Sequence, residues 1–135
     1  MKYLVSAVAL GALFAAAPLL AHHSFAAEYD SKQPVKLTGA VTKVYWTNPH
    51  VYFFIDVKDP ETGRVANWSF EMAAPGALKN TGWTRNTMKT GDLVIVEGTR
   101  AKDGGLHGNA RTVTLASTGQ RLGAASSETT QTKGK

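Results

Sequence analysis

The sequence predicts an all-β domain with a short helical connection, a small five-stranded OB-like Greek-key barrel. Three observations carry this reading. Apolar residues alternate with period two in several short runs, Pro, Gly and Asp clusters separate the runs, and a Gly-, Pro- and polar-rich stretch lies between the third and fourth.

Before the barrel comes an export signal. Met1 and Lys2 are followed by an uncharged run from Tyr3 to Leu20, which ends at Pro18-Leu19-Leu20-Ala21 and is followed by His22-His23-Ser24. A positive start, an apolar centre and small residues at the end predict a secretion signal over 1–21, cut after Ala21. A cut after Ala17 would put Pro18 just past the scissile bond, and one after Ala27 would put Phe25 at the upstream recognition position. The alternative is an uncleaved anchor, since the run approaches spanning length. Pro18 and the lack of a basic stop-transfer cluster oppose it. The expectation is therefore a periplasmic protein with no membrane span after cleavage.

Residues 22–34 read as an N-terminal leader, and 35–118 as the barrel. Val35–Trp46 is rich in β-branched and aromatic residues and forms the first strand. Its apolar parity switches near Gly39, which predicts a bulge or bend there. After Thr47-Asn48-Pro49, the residues Val51, Phe53, Ile55 and Val57 make one face of the second strand. Asp59-Pro60-Glu61-Thr62-Gly63 is a turn, because Pro60 presets its φ and Gly63 accepts positive φ. The third strand, Val65–Met72, sets Ala66, Trp68, Phe70 and Met72 on one face. Placing Asp59 opposite Arg64 makes Phe53 face Phe70 and Tyr52 face Glu71, so the two apolar faces coincide.

The stretch 73–90 loses alternation and predicts a short helix near Pro75–Asn80, with Trp83 plugging the core and Thr84 capping a single turn. Leu93–Thr99 is the fourth strand, with Leu93 and Ile95 expected to be buried and Val94 and Val96 as further candidates, and Asn109–Leu115 is the fifth. Residues 119–135 are Gly, Ser, Thr, Gln and Lys for the most part and are expected to form a disordered tail.

Composition excludes several chemistries. The chain has 135 residues and no cysteine, which removes disulfides, thiol nucleophiles, iron–sulfur clusters and c-type haem attachment. Its formal charge of +5 is spread along the sequence, whereas a nucleic-acid binder concentrates such charge. No nucleic-acid partner is expected, and no nucleophile elbow or phosphate-binding loop is present.

The stretches AHHSF (21–25), GAVTKVYWTNPHVYFFIDVKD (39–59), NWSFEM (67–72), GWTR (82–85), KTGDLVIVEGTRAKDG (89–104) and GNARTVTL (108–115) span nearly the whole mature domain. In these the chain resembles a family of small exported bacterial proteins defined as a domain of unknown function. The resemblance implies an OB-like barrel in the periplasm and brings no activity with it. His107 lies in a loop and is not carried over as a site residue.

Chemistry is expected first at His22 and His23. After cleavage, the α-amine and ring of His22 chelate one metal together and His23 adds a second imidazole. Such nitrogen-rich sets suit copper(II). The competing reading is that both histidines only begin a leader. His50 is the third candidate ligand, placed by parity on the face opposite the core; its competing reading is a histidine that satisfies local backbone groups. Trp46, Tyr52 and Phe54 make a candidate aromatic surface for a partner protein, a peptide or an envelope glycan, with Glu71 beside Tyr52. Glu71 has only Asp56 as a second carboxylate on that hairpin, so paired-acid hydrolysis is not expected. The leading expectation is a binding protein rather than an enzyme. An oxidative copper enzyme with a histidine brace from His22 and His50 is the minor alternative.

Overall fold

A computed structural model describes residues 25–125. The signal over 1–21, His22 and His23, and the tail from 126 lie outside the described residues. Six strands run in chain order: β1 Tyr29–Tyr45, β2 Tyr52–Lys58, β3 Val65–Glu71, β4 Leu93–Ala101, β5 His107–Leu115 and β6 Arg121–Gly123. One helix, α1 Pro75–Asn80, joins β3 to β4. The sheet order is β3-β2-β1-β4-β5-β6, and a parallel β3–β5 pairing closes the barrel. This is the OB arrangement expected above.

The β2–β3 hairpin has the expected register. Phe53 pairs with Phe70 and Tyr52 with Glu71. Asp59 donates its N–H to Arg64 O at 2.8 Å and accepts from Glu61 and Thr62 N–H groups at 2.8 and 2.9 Å. Inward residues follow: Val51, Phe53, Ile55, Phe70, Met72, Val94, Val96 and Val113 are fully buried. Each such side chain contributes about 1.5–3 kcal/mol of transfer free energy.

The predicted parity switch in the first strand is real but sits later, where the β1–β2 register shifts between Val41 and Lys43. Gly39 does a different job. A Cβ there would lie 2.5 Å from Asp56 O, so the two backbones approach too closely for any side chain. At Gly98, beside the β4–β5 bulge, a Cβ would overlap Asn109 O.

Four expectations are corrected. β1 begins at Tyr29, inside the segment read as a leader, because Tyr29 pairs with Ala101 and the run from Pro34 pairs along β4. β6 lies in the segment read as a tail, because Leu122 and Ala124 are buried against the core. On β4 the inward residues are Val94 and Val96, while Leu93, expected to be buried, is exposed and Ile95 is only partly buried. Four consecutive apolar residues, Leu93 to Ile95 to Val96, carry no alternation from which to read a face. Thr84 begins a plain turn rather than a helical one, with Thr87 N–H donating to Thr84 O at 3.1 Å.

The connection itself caps one end of the barrel. Leu78, Trp83 and Met88 are buried there, and Trp83 Nε1 donates to Gly123 O at 2.8 Å. Pro75 at the helix start fits a position whose N–H needs no intrahelical acceptor.

Candidate functional site

At the end of β3, Glu71 collects partners from three separate segments. Tyr29 donates to its Oε2 at 2.9 Å and Tyr52 donates to the same oxygen at 3.2 Å. Its Oε1 lies 3.6 Å from His50 Nδ1. Both phenols hold their protons. Burial, then the charge of Glu71, pushes Tyr29 well above its ordinary value. The same causes in the same order push Tyr52 up to about 12.

His50 Nδ1 is also 3.1 Å from Met72 O. A carbonyl only accepts, so Nδ1 carries the proton and, in the neutral ring, Nε2 keeps its lone pair. No hydrogen bond occupies Nε2 among the described residues. A ring oriented by one nitrogen with the other open is the arrangement of a metal-ligating histidine.

Asn109 stands next to Glu71 in the β3–β5 register. It is 2 % exposed and its Nδ2 has no hydrogen-bond partner. The N-terminal segment closes over this corner. Residues 25–28 form a helical turn, the Phe25 and Tyr29 rings lie 5.1 Å apart, and Lys102 N–H donates to Glu28 O at 2.9 Å.

The structure sets Tyr52 against Glu71 as expected, brings His50 to the same carboxylate and separates the aromatic trio. Trp46 packs against the core, lining a recess with Val44, Met72, Trp83 and Met88. After the bulge at Val41, Val44 and Trp46 share the face that packs against the core, and Tyr45 between them takes the outward place. Tyr45 is exposed, meets Phe54 edge-on at 5.9 Å, and lies under Lys43 Nζ at 4.6 Å. Asp56 is four residues from Tyr52 along β2 and accepts from Asn67 Nδ2 at 2.8 Å, so it makes no acid pair with Glu71. His107, expected in a loop, opens β5 and pairs with Asp103 at 2.9 Å. Among the described residues, no three His, Cys, Asp or Glu side chains form a metal-holding group. Nor is any described helix long and apolar enough to cross a membrane.

Sequence reasoning missed Tyr29, Tyr45 and Asn109. The aromatic pair Phe25 and Tyr29, four residues apart in an otherwise polar stretch, was the available signal for the first.

A family model matches residues 11–111. The chain belongs to DUF6152, a family of unknown function. No curated protein matches this DUF6152 member. Among solved structures it is similar to the mitochondrial single-stranded DNA binding protein Rim1 from S. cerevisiae, with 13% identity and a TM-score of 0.50. The similarity covers 62% of this chain and 93% of that one. At such identity the likeness shows the OB fold alone.

Proposed function

We propose that this DUF6152 protein is an exported binding protein whose site forms where the N-terminal segment meets His50 and Glu71, and that its ligand is copper(II). The observation that carries the reading is the orientation of His50: Nδ1–H is held by Met72 O beside Glu71, and Nε2 is open. With cleavage after Ala21, the amine and ring of His22 and the ring of His23 supply the remaining nitrogens. Reach permits this. His23 is two residues from Phe25, about 7 Å at full extension, and Phe25 rests on the tyrosine that binds Glu71. Glu71 acts behind the ligand by orienting His50. The role is metal handling rather than turnover.

The test is copper(II) titration of the mass-verified secreted protein, beside a form with one extra residue before His22 and a His50→Ala form. Tight one-to-one binding that weakens in both controls supports a site shared by terminus and barrel. Binding that ignores His50 reduces it to a terminal chelate, and a different first residue ends the copper reading. Peroxide-dependent turnover of the copper-loaded protein would shift the reading to oxidative chemistry.

A metal-free reading is favoured by one observation, the solvent exposure of Tyr45 and Tyr52. With Phe54 they offer a surface to a partner protein, a peptide or an envelope glycan. Lys43 is opposed there by Asp56 and Glu71, a poor balance for a phosphate backbone. Tyr45→Ala with Phe54→Ala removes such binding, while replacing the histidines leaves it intact.

A further inference from the structure

The barrel is plugged at one end and open at the other. At the plugged end stand α1 and Trp83. At the other end the inward layer is Leu37, Val57, Ala66 and Trp68. Their direction follows from register: Leu37 pairs with buried Val96, Val57 with Ala66, and Trp68 with buried Ile55. Trp68 is buried in this layer, while Leu37, Val57 and Ala66 remain partly exposed. They floor a cavity of about 470 Å³ whose rim includes Lys58, Asp59 and Arg64. Barrel mouths of this size, with an apolar floor and a few convergent polar groups, are common small-molecule sites.

We propose that this mouth binds a small amphipathic carboxylate, its apolar body on Val57, Ala66 and Trp68 and its anion between Lys58 and Arg64. Charge decides the class of ligand. Neither Lys58 nor Arg64 forms an ion pair among the described residues. The opposing carboxylate, Asp59, is engaged by its own turn, where Oδ1 accepts the Glu61 and Thr62 N–H groups. Those bonds leave Asp59 its charge, so the lining sets two cations, Lys58 and Arg64, against one anion, and the balance is positive. A third cation stands close by: the Arg100 guanidinium lies 5.4 Å from the Trp68 ring centroid and donates to Gly104 O at 2.6 Å. The neighbouring Trp68 and Phe70 rings stack at 6.1 Å, so the indole forms a firm wall. This mouth is at the turn end of the β2–β3 hairpin, and Glu71 is at the other end, so the two sites stand or fall separately.

The experiment is a heteronuclear NMR titration of the secreted protein with phenylacetate, and with the neutral phenylacetamide as comparison. Saturable shifts of amides 57, 64, 66 and 68 by the acid are expected, with binding of the amide weaker by about fivefold, the worth of two exposed charge contacts. Lys58→Gln with Arg64→Gln, both on the surface, lowers acid binding to the level of the amide. Ala66→Leu fills the floor and abolishes it, with folding checked by the retained spectrum. No saturable shift, equal binding of acid and amide by the native protein, acid binding undiminished by Lys58→Gln with Arg64→Gln, or acid binding that survives Ala66→Leu overturns the proposal.

Discussion

The Tyr29 hydroxyl reaches Glu71 Oε2 at 2.9 Å across 42 positions of the chain. That one bond ties the first described strand residue to the end of β3. It makes the N-terminal segment part of the barrel, although its own sequence is polar and β-poor.

Replacing Tyr29 by Phe keeps the ring, and with it the contact to Phe25, and removes only the donor. A hydrogen bond to a charged acceptor contributes about 1.5–3 kcal/mol. Denaturant unfolding should show a loss of that order for Tyr29→Phe. Tyr52→Phe should lose less, because Tyr52 is 37% exposed and water replaces the partner. Hydrogen exchange over 25–33 should speed up in Tyr29→Phe before any other region does.

Alkaline pH gives a second check. Both phenols have folded pKa values above their ordinary value, burial being the main cause and Glu71 the next. Below about pH 10 folded and unfolded states are both protonated, and the contribution to stability is complete. As pH rises further, the unfolded chain releases its protons first, so stability falls; for Tyr52 the loss is complete as pH passes about 12. Unfolding followed across this window should fall less steeply for Tyr52→Phe than for the native chain. Equal slopes would mean that folding does not raise the Tyr52 phenol.

Two glycines should respond with opposite sign. Gly39→Ala drives a Cβ into Asp56 O at 2.5 Å, and backbone cannot step aside as a side chain can. A loss of about 2–3 kcal/mol is expected. Gly76 lies in α1 with nothing within 4 Å of its added Cβ, so Gly76→Ala should gain up to about 1 kcal/mol. Thermal melts of the two variants decide the matter.

The segment after β5 should prove structural. A chain ending at Thr118 loses buried Leu122 and Ala124, the Gly123 carbonyl that accepts from Trp83, and the bond from Ala73 N–H to Ala124 O at 2.8 Å. A chain ending at Ala125 keeps all of these. Only the shorter one should melt markedly lower, by an amount reflecting about 3 kcal/mol or more.

Much of the barrel was legible in advance because its determinants are local. Alternation in Val51–Val57 and Ala66–Met72, joined by a turn of known length, left one register for the hairpin, and that register brought Tyr52 to Glu71. Trp83 and the Pro75–Asn80 helix were readable from the break in alternation between two strong strands. Where alternation was lacking, reading stopped. Leu93–Val96 is apolar throughout, so only the neighbouring β1 could say which residues face inward.

By itself, then, the sequence determined the class, the hairpin register and the helix between the third and fourth strands. Tertiary structure alone decided that Tyr29 and Asn109 stand beside Glu71, that Tyr45 and not Trp46 faces outward with Phe54, and that the turn end of the barrel stays open. Periodicity reports the face a residue takes within its own strand. Which residues from distant strands share a corner depends on bulges and on the β3–β5 closure, and these are set by the packing of the whole barrel.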